Sequence, residues 1–172
     1  MPSDVVRLTP RLADRSTWSA DGCTMAAALS AVGTRGSMLC LREAFYGTRR
    51  FEEFVARTGF TEAVVAARLK DLVGAGLLIR EPYREPGQRV RHEYVLTESG
   101  HDLLPALVGL MQWGDRWLTA DGTGPIGLRH ADDDGGCGEP VRAELRCAAG
   151  HQVTVTDVEA FPQRGRVAHR RA

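Results

Sequence analysis

Four residues in the last third of this 172-residue chain, His130, Cys137, Cys147 and His151, supply two sulfurs and two imidazole nitrogens, the donor set of a tetrahedral zinc site. Cys147 and His151 have a workable ligand spacing, but Cys137 and Cys147 do not form a CxxC knuckle. The same two thiols therefore also suit a reversible dithiol within a small β-unit. Cys23 precedes an apolar helical segment, and thiolate chemistry there would be felt by the helix behind it. It has no basic neighbour, so packing is the competing role. A different chemistry is offered by Arg84, Arg89 and Arg91, which surround a Pro86-Gly87 turn and present cations suited to phosphate. No Ser-His-acid order or carboxylate pair marks a catalytic site, which directs the reading to binding rather than to an enzyme.

The bulk properties narrow the setting. A hydrophobic fraction of 43% and a charged fraction of 26% are those of a globular chain, and its apolar stretches are too short to span a bilayer. The opening residues lack the basic-then-apolar layout of a secretory signal, so a cytoplasmic location and no membrane partner are expected. In that reducing compartment the four cysteines, Cys23, Cys40, Cys137 and Cys147, are read as metal ligands, redox groups or small buried hydrophobes rather than disulfides. Basic and acidic residues balance at 22 each, which argues against indiscriminate attraction to nucleic acid.

Periodicity supplies the elements that must position these groups. Residues 1–22 read as an arm. Ala26, Leu29 and Val32 predict a helix from Met25 that stops at Gly33, and Met38, Leu41 and Phe45 predict another over Ser37 to Phe45. Phe51, Phe54 and Val55 suit a third helix ending at Gly59. Thr61 is a sound N-cap for a fourth, with Glu62 at its positive end and Val64, Val65, Leu69 and Leu72 as an apolar stripe. The period then changes: Leu77 to Tyr83 and Val90 to Leu96 read as a β-hairpin about Pro86-Gly87. Thr97 caps one long helix to about Trp117, with Leu103, Leu104, Leu107, Val108, Leu110 and Met111 on its apolar face. Beyond it, a glycine-rich stretch with Asp132-Asp133-Asp134 reads as loop, while Val141 to Cys147 and Val153 to Val155 alternate like strands. The expected fold is α+β, mainly α, with an arm (1–22), a core (23–118), a small β-rich accessory unit (119–162) and a disordered basic tail (163–172).

Helices, a two-stranded hairpin and then a long apolar-faced helix form the layout of a winged helix-turn-helix, in which one helix fits the major groove and a basic hairpin reaches the backbone. The residues sharpen this. Cys23, Leu41-Arg42-Glu43, Gly47-Thr48-Arg49-Arg50-Phe51-Glu52-Glu53-Phe54, Arg68-Leu69 with Leu72, and Gly76-Leu77 occur in order. Pro82-Tyr83, Glu93-Tyr94, Leu96-Thr97-Glu98-Ser99-Gly100 and Trp113-Gly114-Asp115-Arg116-Trp117 follow. This series resembles the HxlR-type family of bacterial winged-helix regulators, over somewhat more than half of the chain.

The resemblance implies a homodimer, joined through the first and last helices of the core, that binds double-stranded operator DNA as a transcriptional regulator, most often a repressor. It implies that Thr61, Glu62, Ala63, Val64 and Arg68 lie on the recognition helix, that Arg84, Arg89 and Arg91 are wing contacts, and that Arg49 and Arg50 contact backbone beside them. Arg68 has an alternative as an ion-pair partner inside the fold. In some members the N-terminal cysteine senses oxidants or electrophiles, a role open to Cys23.

The chain departs from that pattern in two places. The recognition helix carries Ala63, Val64, Val65, Ala66 and Ala67 where base readers are expected, and Glu62 would face phosphates unless it pairs with a cytosine amine. Relatives carry tryptophan where this chain has Gly36, although Arg35 keeps their basic position. These departures admit a second expectation: a winged-helix scaffold that binds, sequesters or transforms a small-molecule effector at the dimer interface, with Trp18, Cys23, Met38, Phe45, Trp113 and Trp117 lining the pocket or packing the interface. No cofactor is expected beyond the candidate zinc of the tail.

Overall fold

A computed structural model describes residues 5–131 and 135–163; the acidic run 132–134 and nearly all of the basic tail lie outside the described residues. In chain order the elements are β1 (Arg7–Leu8), α1 (Thr24–Val32), α2 (Arg35–Phe45), α3 (Phe51–Thr58), α4 (Glu62–Gly74), β2 (Leu78–Tyr83), β3 (Arg91–Leu96), α5 (Glu98–His101), α6 (Leu104–Leu118) and β4 (Glu159–Ala160). They fall into two compact units, residues 23–107 and residues 5–22 with 108–163. Among the described residues no helix is long and apolar enough to cross a membrane.

In the first unit, local chemistry sets most of the helix ends. Thr34 accepts a hydrogen bond from the Ser37 N–H at 3.0 Å, so α2 starts at Arg35, two residues before the apolar periodicity begins. Gly59, in the left-handed region at φ +70°, closes α3 as its sequence position suggests. Thr61 caps α4 through the Val64 N–H. The buried face of α4 is Val65, Leu69 and Leu72; Val64, expected in the same stripe, is instead exposed. Val65, Leu69 and Leu72 lie at i, i+4 and i+7 on one helix face, and Val64, turned roughly 100° from Val65, falls outside that face.

These three side chains pack with Cys40, Leu41, Phe54, Leu77, Leu78 and Leu107 into one core, with Met38, Phe45 and Phe51 partly buried against it. Each fully buried aliphatic or aromatic side chain is worth roughly 1.5–3 kcal/mol. Burial has a chemical effect on Cys40. Desolvation first and the nearby Glu43 second push its thiol up to about 11, against a smaller opposing effect of Arg68.

β2 and β3 pair antiparallel from Leu78↔Leu96 to Tyr83↔Arg91. At the hairpin's tip Gln88 N–H returns to Glu85 C=O at 3.0 Å, with Pro86 and Gly87 (φ +77°) between them, the composition of a type II turn. Arg49 and Arg50 extend the same sheet: Tyr94 N–H donates to Arg49 C=O at 2.8 Å and Arg50 bridges to Glu93.

The single long helix expected after Thr97 is two helices, α5 and α6. Pro105 explains the break. It has no N–H to give to the His101 carbonyl four residues back, its ring would clash with that carbonyl, and it is tolerated only in the first turn of a new helix. Gly100 lies where α5 meets β2: a Cβ there would stand 2.3 Å from the Leu77 carbonyl oxygen and 2.9 Å from Leu96 Cδ2.

The second unit ties the N-terminal segment to the tail. β1 and β4 pair in parallel, Arg7↔Glu159 and Leu8↔Ala160. The Gln112 side chain donates to Val141 C=O at 2.7 Å and accepts from Ala143 N–H at 2.9 Å. The segments that alternate like strands form isolated bridges rather than a ladder, Arg129↔Pro140 and Arg146↔Gln152, the second flanked by Val153 N–H to Leu145 C=O and Cys147 N–H to His151 C=O at 3.0 Å, and Val155 begins a 3-10 turn, Val155–Asp157. All residues from 141 to 147 are exposed, so alternation there has no buried face to enforce a ladder. The 3-10 turn is a local device: Thr154 donates both its N–H and its hydroxyl to Asp157 at 2.7 Å, which holds that carboxyl below its usual range.

Two outcomes are expected. Gly100→Ala lowers stability by roughly 1–3 kcal/mol in urea melts, because the added methyl meets backbone rather than a flexible side chain. Iodoacetamide at pH 7.5 leaves Cys40 unmodified in the native protein and alkylates it after denaturation, as read by peptide mass spectrometry. Rapid native labelling of Cys40 would contradict its burial.

Candidate nucleic-acid interface

The first turn of α4 presents Thr61, Glu62, Ala63 and Val64 to solvent, all exposed, on a helix fixed from behind by Val65, Leu69 and Leu72. Arg68 behaves differently. Its guanidinium pairs with Asp71 at 3.0 Å, and its aliphatic stem lies over Gly36, where a Cβ would stand 2.8 Å from Arg68 Cγ. Glycine at 36 thus leaves the space that the Arg68 stem fills. Arg35 stacks over Phe60, 5.7 Å from the ring centroid.

Four of the five candidate arginines, Arg49, Arg50, Arg84 and Arg91, have local partners. Arg91 pairs with Glu52 on α3 at 3.2 Å, and Arg49 with Glu93 on β3 at 3.3 Å. Arg50 pairs with Glu85 at 2.9 Å and lies 4.9 Å from the Tyr83 ring centroid. Arg84 donates Nε–H to the Gln88 carbonyl at 3.1 Å, and Arg89 is exposed at the tip. Exposed pairs of this kind are worth about 0–1 kcal/mol, so a phosphate can take a guanidinium from its glutamate at little cost. The pairs hold the side chains extended over the surface without committing them.

Two features escape a reading by residue type. The first is a polar network under the turn between α2 and α3. Glu43 is buried on α2 and pairs with Arg42. Buried Thr48 donates its hydroxyl to Glu43 at 3.4 Å and accepts from Arg57. Thr48 N–H also reaches the Glu43 carbonyl at 3.0 Å, so the segment delivering Arg49 and Arg50 is held by both side chain and backbone. The second is a cleft of about 440 Å³ lined by Phe51, Glu52, Arg80, Tyr83, Arg91, His92 and Tyr94. The hairpin register pairs Arg80 with Tyr94 and Pro82 with His92, so strand alternation was the signal that places Arg80 and His92 on one face.

The other candidates separate by environment. Cys23 is exposed and forms the N-cap position of α1. Met38 and Phe45 pack against the core of their own unit, Phe45 edge-on to His101 at 6.3 Å. Trp18, Trp113 and Trp117 are exposed, with Arg15 over Trp18 at 5.5 Å and Arg116 over Trp117 at 4.9 Å. In the tail, Cys137 Sγ lies 3.6 Å from His130 Nδ1. Cys147 and His151 close a separate turn through Cys147 N–H to His151 C=O at 3.0 Å. Among the described residues, no three His, Cys, Asp or Glu side chains converge as a metal site would need.

Comparison with known proteins agrees with this geometry. The HxlR-like helix-turn-helix family profile matches residues 31–122. An HTH-type transcriptional regulator of Mycobacterium tuberculosis (strain ATCC 25618 / H37Rv) is 41% identical over 146 residues, covering 84% of this chain and 89% of that protein. The crystal structure of the transcription factor PA1607 superposes with a TM-score of 0.70 at 33% identity, over 83% of this chain and 95% of that one. The oxidized form of the redox regulator HypR gives a TM-score of 0.50 at 26% identity, over 54% of this chain and 95% of that one. With its exposed first turn of α4, its hairpin wing and its arginine-edged surface, the chain belongs to the HxlR-like helix-turn-helix family of DNA-binding transcriptional regulators.

Proposed function

We propose that this regulator is a homodimeric repressor that inserts α4 into the major groove of operator DNA, holds the backbone through Arg49, Arg50, Arg84, Arg89 and Arg91, and releases it in response to a small-molecule or thiol-reactive signal. One observation carries the reading most directly. Five arginines and the exposed first turn of α4 belong to one compact unit, and each arginine is exposed at its surface. At zero net charge the attraction of a polyanion depends on such local clustering of cations rather than on the charge of the whole chain.

Dimerisation is supported by apolar side chains that stand exposed in the single chain. On α1, Met25 and Leu29 are exposed. On α6, Leu110, Trp113 and Trp117 are exposed at helical spacing. Tryptophans exposed in a row on one helix face mark an interaction surface more than a solvated one. The thiol-reactive signal is supported by exposed Cys23 at the start of α1 and by the likeness to HypR, a redox regulator.

Gel-shift titration against intergenic DNA flanking the gene, at two salt concentrations, tests the DNA reading. Arg50→Ala and Arg91→Ala are each expected to reduce the slope of log K against log salt by about 1, and Glu52→Gln to tighten binding at low salt. Binding that stays at the non-specific level on every nearby promoter sinks the repressor assignment. For the dimer, light scattering should give twice the chain mass of 18.8 kDa for the native protein and a monomer for Trp113→Glu.

A further inference from the structure

We propose that Val64 reads a thymine methyl group in the major groove and thereby sets the base preference of each half-site. The proposal rests on α4 being the recognition helix, as above, and adds what that helix recognises. The starting point is what its exposed first turns lack. The Thr61 hydroxyl is engaged as the cap of Val64 N–H, Ala63, Ala66 and Ala67 end at Cβ, and Arg68 is turned to Asp71 at 3.0 Å. None of these offers the bidentate hydrogen bonding by which Arg, Asn or Gln identify guanine or adenine.

What α4 does offer is an isopropyl group. Val64 is 40% exposed, while its neighbour Val65 is fully buried and the core is complete without Val64. The major-groove edge presents one apolar feature, the 5-methyl group of thymine, and a short branched side chain on an inserted helix is its complement. The alanines make that contact reachable: with nothing longer than a methyl at 63, 66 and 67, the helix backbone approaches the base edges closely enough for valine to touch them. Glu62, also exposed, is acceptor-only and is repelled by the O6 and N7 acceptors of guanine and the O4 of thymine, so it accommodates an exocyclic amine, N4 of cytosine or N6 of adenine. The recognised half-site therefore carries a thymine with the amine of a cytosine or an adenine close by.

The test uses the full-length protein to select binding sites from a random duplex pool. Affinities are then measured by fluorescence anisotropy on the selected duplex and on duplexes in which each thymine in turn is replaced by deoxyuridine, which lacks only the methyl. One replacement per half-site is expected to weaken wild-type binding roughly three- to tenfold, the worth of a buried methyl contact. Val64→Ala, whose melting curve should match the wild type because the side chain lies outside the core, should bind the thymine and deoxyuridine duplexes alike. If no deoxyuridine duplex differs from its parent, or if Val64→Ala keeps the wild-type ratio, the methyl-reading role is overturned while sequence-specific binding stands. If the pool yields no enriched sequence, the repressor reading falls and the inference falls with it.

Discussion

The placement of α4 depends on three aliphatic side chains. Val65, Leu69 and Leu72 are fully buried among Cys40 and Leu41 of α2, Phe54 of α3 and Leu78 of β2, so the helix cannot rotate without pulling all three from the core. Everything at the DNA-facing surface follows from that seating. It leaves Val64 exposed, it brings the Arg68 stem over Gly36, and it lets Thr61 cap the helix at its outer end. The wing is fixed by the same core, because Leu78 opens β2 inside it and Tyr94 of β3 meets Phe54 edge-on at 6.1 Å. α4 and the β2–β3 hairpin share one support, which the proposed reading of a groove together with its flanking backbone requires.

The four cysteines show how environment, not residue type, decides chemistry. Cys40 lies wholly inside the core with its thiol pushed to about 11, so at neutral pH it stays protonated and out of contact with oxidants. Cys23 has the opposite situation, exposed at the start of α1. Cys137 is exposed beside His130, and Cys147 lies in an exposed turn. A reactive role for a thiol in this chain is therefore open to the three exposed ones, and Cys23 alone of them belongs to the unit that carries α4 and the wing.

Much of the DNA-facing unit was legible because its signals are local. Gly33, Gly59 and the threonines at 61 and 97 mark helix ends by backbone conformation and capping, and these require no knowledge of distant residues. The errors arise where distance or direction matters. By type Val64 belongs with the core, yet Leu69 and Leu72 share their face with Val65. The apolar periodicity after Thr97 passes unbroken through Pro105, whose effect is on the backbone and not on the pattern. The parallel pairing of Arg7–Leu8 with Glu159–Ala160 joins segments about 150 residues apart, a separation at which periodicity carries no information. In the tail, alternation at 141–147 suggested strands, but the backbone there bonds to the Gln112 side chain, a partner that no strand pattern announces.

The near-exact charge balance and the apolar recognition helix belong to one physical scheme. A protein with 22 basic and 22 acidic residues gains little from the sequence-independent attraction that dominates most DNA binding. Arg91, Arg50 and Arg49 are moreover held by Glu52, Glu85 and Glu93, so a phosphate contact by any of these three first displaces a carboxylate. Both effects lower the affinity for every sequence alike, so the groove contacts of a correctly docked complex make up a larger share of what binding remains. A helix that discriminates by small apolar contacts earns only a modest preference per base, and such a preference is effective only above a low non-specific background. Neutrality and glutamate-held arginines weaken what every sequence offers alike, so under the proposed reading discrimination rests on the groove contacts of the alanine- and valine-lined helix.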